Sequence, residues 1–512
     1  MTRRSRKTTL TERTGRAIGF RIGGNVALMF LGLGLGVILS RILPPREFGV
    51  FAVGLGIVTV ADIISSAGMF QALVQKKDLS PEDETTGFVL QMSFAVALGL
   101  VLLFLGPYFA EFFKMPGLGP LVQLQSLVLV IKALVLIPNT RLMRSLAFDR
   151  LAFIEVMGRL GGGILAIILG LQGKGALALT GGSVVTAAIQ AFLSWTFASG
   201  SVSLRFSRQS ARSLLGFGTG IVFIRVFNDL ARRVDVFIVG RRLGAEVVGF
   251  YNRSYQLVTI PLFQFTNAIN QVLFPAMSKV QDDDERFQRG FLGSVALSTM
   301  ISFPMLTLLW TCGDILIPFL YGPKWSGAVP LLTLLSFAGY LRIMSNPNGL
   351  VTQARAHVGA EAWRQAAFTG MIGLFVLVGS IWGITGAVIG VGAATGLYLF
   401  FMTRLALAIA GIRIADWLRA LRTTVLATVV MAVAVMATKD SLAGSTTSFT
   451  LLAILGLVGT SAYLLVIRIL LSRDEKEIVV RVANSLPVRL RWLPRLVLGV
   501  EREPVAPVPA DS

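Results

Sequence analysis

The stretch Arg225 to Arg242, RVFNDLARRVDVFIVGRR, places seven charged side chains inside an otherwise apolar part of the chain. At about 100° per residue, Arg225, Asn228, Asp229 and Arg232 recur at i, i+3, i+4 and i+7 and share one helical face. Arg233 and Asp235 flank that stripe, while Val226, Phe227, Leu230, Val234, Phe237 and Ile238 take the opposite side. Ionisable groups at membrane depth cost at least about 2.5–3.5 kcal/mol each and persist where they face a bundle interior or an aqueous cavity. Three arginines against two aspartates leave this face net positive, which is the electrostatics of a lumen that receives an anion. Internal pairing is the structural alternative, because Asp229 reaches Arg225, Arg232 and Arg233 at helical spacing.

Other polar positions fit the same scheme. Arg21 and Asn25 sit four residues apart on one face of the first apolar run. Lys132 lies within LVLVIKALVLIP, where no near neighbour in sequence pairs it; snorkelling to the interface is the competing explanation. Gln264, Asn267 and Gln271 form a neutral stripe suited to hydroxyl-rich ligands, or equally to hydrogen bonds between helices. Asp229 and Asp62 are the candidate coupling carboxylates. Structural pairing is the expected role of Arg342 and of Glu155 with Arg159, and it competes with coupling at Asp62.

The elements that must carry these residues are membrane spans. Charged residues make up 14% of the chain against about 25% in a soluble domain. Mean hydropathy is +0.73. Apolar segments of about 20 residues recur at 17–40, 48–74, 86–112, 118–140, 151–171, 176–199, 214–240, 246–277, 290–319, 327–352, 362–382, 384–409, 416–437 and 449–471, about fourteen spans in all. The segments lack the alternation of a β-barrel wall, so the expected fold class is all-α and polytopic. Abundant Gly and Ala suit close helix approach in lipid.

The net charge of +20 is distributed, and its distribution argues against nucleic acid as a partner. Alternate loops hold most of the Lys and Arg, which places both termini in the cytoplasm by the positive-inside rule. The first apolar run lacks a small-residue cleavage site and reads as a retained span. One cysteine, Cys312, and one histidine, His357, leave no disulfide framework and no histidine-rich metal site. No phosphate-binding Gly-x-x-x-x-Gly-Lys-Ser/Thr motif is present. GLGLG at 32–36 reads as apolar packing, and DDDE at 282–285 as a solvated turn. No catalytic residue, metal or cofactor is therefore expected, beyond a coupling cation, H⁺ or Na⁺.

The chain also repeats itself. RILPPREFGVF from Arg41 matches RRLGAEVVGFY from Arg241, an offset of 200 residues, and PLVQLQSL from Pro120 matches PLLTLLSF from Pro330, an offset of 210. Ordered matches of this kind indicate two homologous six-helix lobes related by an axis along the membrane normal, with a site at their interface. The expected organisation is a basic N-terminus at 1–16, an N-lobe at 17–200, a linker at 201–213, a C-lobe at 214–410, two further helices at 411–472 and a tail at 473–512. Within the tail, VRLRWLPRLVL is suited to lie on the inner leaflet, and EREPVAPVPADS is Pro-rich and expected to be disordered.

These residues resemble the Wzx-type polysaccharide flippases of the multidrug/oligosaccharidyl-lipid/polysaccharide exporter superfamily, and within them the exopolysaccharide and colanic-acid translocases. RILPPREFGVFAV, ALVQKKDLSPEDETTGF, FFKMPGLGPL, RSLAFDRLAFIEV, GFYNRSYQLVTIP, FPAMSKVQDD and YGPKWSGAVPLL carry the resemblance, over roughly Arg16 to Arg404. It implies alternating-access movement of undecaprenyl-pyrophosphate-linked sugars between the leaflets of a bacterial inner membrane. It also implies membrane lipids and other polysaccharide-assembly proteins as neighbours. In that family arginines of the first and seventh helices line a cationic lumen; the matching positions are Arg21, Arg225 and Arg232. The substrate-binding set expected here is Arg21, Asn25, Lys132, Arg225, Asn228, Arg232 and Arg233, with Gln264, Asn267 and Gln271 facing sugar. A multidrug–cation antiporter of the same superfamily competes, but would prefer an acidic, aromatic cavity. A polymerase or ligase would need a large external catalytic loop, and all external loops here are short.

Overall fold

The computed structural model describes residues 10–198, 205–442 and 447–471; the basic residues 1–9, most of the linker start and the tail after Leu471 lie outside them. Seventeen α-helices and no strand occur among the described residues. This is what an apolar chain in lipid must do, because a helix satisfies its backbone groups within its own segment.

The chain folds as two compact units. The first holds Met1–Arg253 with Leu320–Gly327 and Val376–Ala387. Its helices are α1 (Leu10–Ile42), α2 (Pro45–Ser66), α3 (Met69–Gln75), α4 (Pro81–Phe113), α5 (Leu118–Leu134), α6 (Leu136–Arg144), α7 (Phe148–Leu171), α8 (Ala176–Phe197), α9 (Arg208–Ala231) and α10 (Val234–Leu243), followed by the start of α11 (Ala245–Lys279). The second unit holds Ser254–Phe319, Ala328–Phe375 and Val388–Ser512. It takes the rest of α11 and most of α12 (Asp284–Tyr321), α13 (Val329–Ala354), α14 (Val358–Gly379) and α15 (Gly383–Ala410), with α16 (Ile414–Ser441) and α17 (Ser448–Leu470).

Every expected apolar segment coincides with helix, but three are interrupted. Among the described residues, nine helical stretches are long and apolar enough to cross a membrane, or ten if the bent pair α5–α6 is one span. The segment 48–74 breaks where Ala67 and Gly68 take left-handed backbone, with φ of +44° and +66°. The segment 118–140 bends by 45° between α5 and α6. Pro138 accounts for that bend, since its ring clashes with the carbonyl four residues earlier, that of Leu134, the last residue of α5. The segment 214–240 breaks at Arg232 and Arg233, where α9 ends and α10 begins. There the Asp235 carboxylate accepts the Val236 N–H at 2.8 Å, a side-chain-to-backbone bond that competes with continuing the ladder.

Carbonyls released by proline find side-chain donors on neighbouring helices. Leu134 O accepts from the Trp195 indole at 2.9 Å. Pro107 inside α4 releases Leu103 O, which accepts from Gln123 Nε2 at 2.9 Å. Pro304 inside α12 releases Met300 O, which accepts from the Tyr463 hydroxyl at 2.9 Å. In lipid no water can take these acceptors, so the donors must come from the fold.

Small residues set the helix spacing. On α7 Gly158, Gly162, Ala166 and Gly170 form a buried stripe at intervals of four. A Cβ on Gly162 would lie 2.2 Å from the Gly182 carbonyl of α8, so the two backbones touch. The first pair of repeated motifs meets in the same way. A Cβ on Gly49 of α2 would lie 1.6 Å from Ala245 O, and one on Gly249 of α11 would lie 2.0 Å from Pro45 O. Positions 45 and 245, like 49 and 249, are separated by 200 residues, the offset of the first repeated motif, so the contact is reciprocal.

The loop before α4 is fastened by charge. Ser80 and Asp83 form a reciprocal capping box, and Lys76 Nζ reaches Asp83 at 2.7 Å. Arg141 of α6 forks onto buried Glu84, and Arg144 donates to the carbonyls of Leu73, Val74, Lys76 and Lys77.

Candidate functional site

The polar face of α9 is exposed at Arg225 and Asn228, with Asp229 half-buried between them. The Asp229 carboxylate takes the Arg233 Nε at 2.9 Å across one turn. Arg233 lies beside α2, its Cδ 3.6 Å from where a Cβ on Gly56 would stand. Asp235 does not belong to this face. It is buried and accepts the Tyr251 hydroxyl at 2.5 Å. The stripe is thus shorter than a continuous helix predicts: Arg232 is the C-cap of α9 and Arg233 the residue before α10. The consequence for charge is simple. Asp229 neutralises Arg233, Asp235 is withdrawn, and Arg225 and Arg232 have no carboxylate within ion-pairing reach among the described residues. Two guanidiniums, five donors each, are left for an external acceptor.

The other side of α9 is exposed and apolar at Phe227 and Leu230. Among the described side chains, α9 thus presents an exposed cationic face and an exposed apolar face on opposite sides.

Lys132 does have a partner, seventy residues away in sequence. Its Nζ lies 2.8 Å from Asp62 of α2, linking α5 to α2. Glu155 and Arg159 do not pair as expected: no ion pair joins them, and both line a cavity of about 240 Å³ with Asn139, Gln190 and Ser194. One turn apart on α7, they are both exposed, so each keeps the solvent that a contact between them would remove. The side chains of Arg21, Asn25, Gln264, Asn267 and Gln271 lie outside the described residues, although their backbones belong to α1 and α11. No cluster of three or more metal-ligating side chains occurs among the described residues.

Two arginines outside the expected set also stand out. Arg253 of α11 lays its guanidinium 4.1 Å from the Phe48 ring centroid and 5.7 Å from that of Tyr321. Its signal was available in the sequence, a lone cation within the apolar run 246–277. Arg342 of α13 faces a cavity of about 500 Å³ in the second unit.

Breaking the Lys132–Asp62 pair at one end leaves a charge without its partner, which costs more than the pair itself contributes. Lys132→Met and Asp62→Asn are each expected to lower the thermal midpoint, by about 1 kcal/mol of stability for a half-exposed pair. The combined variant should recover most of the loss, as a thermal-shift series on the four proteins would report.

Residues 38–330, more than half of the chain, match the family described as polysaccharide biosynthesis protein. The chain belongs to that family. Its relatives include the lipopolysaccharide biosynthesis protein WzxC of Escherichia coli K12, 29% identical over 357 residues, 68% of this chain and 72% of that one. A membrane protein of the cps region of Klebsiella pneumoniae is 30% identical over 373 residues, 72% of this chain and 76% of that one. In three dimensions the chain resembles the lipid II flippase MurJ in an inward closed conformation, with a TM-score of 0.67 over 88% of this chain and 98% of that one, at 14% identity. This family member is a multi-pass membrane protein with a fold similar to that of MurJ, and the region matched by the family contains α9, the Lys132–Asp62 pair and both glycines of the reciprocal contact.

Proposed function

We propose that this protein is a flippase for polyprenyl-diphosphate-linked polysaccharide repeat units, moving them from the inner to the outer leaflet of a bacterial inner membrane by alternating access. One observation carries the reading: within a polysaccharide biosynthesis protein, α9 presents Arg225 and Arg232 on an exposed face with no ion-pairing carboxylate among the described residues. A diphosphate is the complementary ligand, because the guanidinium fork makes charge-assisted, often bidentate, bonds to phosphate oxygens. Arg21 would add to the same charge from α1. Asn228 on α9 and Gln264, Asn267 and Gln271 on α11 would take sugar hydroxyls, while the polyprenyl tail stays in lipid.

The two lobes at 17–200 and 214–410 are the moving parts in this reading, which rests on the repeated motifs of the sequence. Asp229 and Asp62 are the coupling candidates for H⁺ or Na⁺. Each is held by a cation, Arg233 or Lys132, so protonation or sodium binding would release that cation. Both termini lie in the cytoplasm by the distribution of Lys and Arg. The net positive α9 face disfavours a cation antiporter.

Leaflet translocation in proteoliposomes tests the proposal. Protein-containing vesicles should expose a labelled polyprenyl-diphosphate oligosaccharide on the opposite leaflet faster than protein-free vesicles. Equal rates would sink it.

A further inference from the structure

The repeat offset brings two cations into register. Lys132 lies twelve residues after Pro120, and Arg342 lies twelve after Pro330, each five residues beyond the matched PLVQLQSL and PLLTLLSF stretches. The first-motif offset of 200 likewise sets Asp62 against Leu262. In the first repeat the cation has its carboxylate, Lys132 with Asp62 at 2.8 Å. In the second, the carboxylate position is buried Leu262, and Arg342 has no ion-pair partner among the described residues.

What surrounds Arg342 is a built environment. Its guanidinium stacks 5.1 Å from the Phe368 ring centroid and 5.6 Å from that of Tyr398. Stacking of this kind fixes the plane of the fork while leaving its N–H edge available. The side chain lines the 500 Å³ cavity with Asn270, Asn346, Glu361, Gln365 and Tyr398. Glu361 already accepts from the Thr352 hydroxyl at 2.7 Å and from Gln353 Nε2 at 3.1 Å. Tyr398 donates to Gln365 Oε1 at 3.0 Å. The cavity therefore offers one oriented cation together with amide and carboxylate groups that match hydroxyls.

Resting on the flippase reading, we infer that this cavity binds a carboxylate-bearing sugar of the cargo glycan. Arg342 takes the sugar carboxylate in place of the aspartate that the second repeat lacks. The amides and Glu361 take its hydroxyls.

The full chain in lipid nanodiscs, offered three polyprenyl diphosphates, tests this. One carries glucuronosyl-glucose, one glucosyl-glucose and one no sugar. Wild type should bind the glucuronosyl lipid about tenfold more tightly than the glucosyl one, the scale of a single charge-assisted contact. Arg342→Ala should abolish that difference and leave the sugar-free lipid unaffected; Arg342→Gln carries the same expectation should the alanine protein not fold. The inference is overturned if wild type binds both glycolipids equally, if the variants keep the preference, or if they weaken all three lipids alike, which would make Arg342 a diphosphate ligand. Wild type that binds none of the three removes the flippase reading itself, and the cavity proposal with it.

Discussion

Replacing Arg225 and Arg232 together by alanine lowers the translocation rate of a polyprenyl-diphosphate oligosaccharide by about a hundredfold. Hydrogen bonds between charged partners contribute about 1.5–3 kcal/mol each, and every 1.4 kcal/mol is a factor of about ten. Each single alanine variant is expected to lose about tenfold. Arg→Lys at either site should recover part of the rate, because it keeps the charge and loses the planar fork. The variants ought to fold, since both side chains are exposed and neither holds a carboxylate in place. Arg233→Ala differs in kind: it would free the Asp229 carboxylate, and that new negative charge would compete with the cargo. Wild-type rates in the folded double variant would remove α9 from the transport path.

Gly49→Ala and Gly249→Ala are expected to prevent assembly of a stable protein. The added Cβ would stand 1.6 Å from Ala245 O in one case and 2.0 Å from Pro45 O in the other. Both obstacles are backbone, which cannot rotate away as a side chain does. Overpacking of a close interface costs about 1–3 kcal/mol even where side chains can move, so a larger loss follows here. Gly34→Ala is the matched control, since nothing lies within 4 Å of its added Cβ. Size-exclusion profiles and thermal midpoints in detergent report the outcome. A Gly49→Ala protein as monodisperse and heat-stable as the Gly34→Ala protein would show that the reciprocal contact gives way cheaply.

Much of this architecture is legible along the chain because it is local. Runs of apolar residues announce helices, and the capping box at Ser80 and Asp83 announces where one begins. The i, i+3, i+4 spacing puts Arg225, Asn228 and Asp229 on one face, and it does so in the structure. The repeat offset of 200 is equally visible, being a matter of residue order.

Partnerships between helices are another matter. Lys132 has no neighbour in sequence to pair it, and its partner Asp62 becomes one only when α2 and α5 pack together. Glu155 and Arg159 sit at ideal spacing on one helix and stay apart. The break at Arg232 and Arg233 escaped the periodicity because charged residues continue the pattern through it. Arg342 and Lys132 hold equivalent sequence positions, yet one is neutralised and the other faces a cavity.

The sequence by itself determined which segments are helical and which faces are polar. These follow from backbone hydrogen bonding and side-chain periodicity, which act over a few residues. Only the tertiary structure decided which charges cancel and which remain for a ligand. Ion pairs, aromatic stacking and the donors that cap Leu103, Leu134 and Met300 all act across gaps of a few ångströms between helices distant in sequence. Those gaps are set by how closely glycine-lined backbones approach.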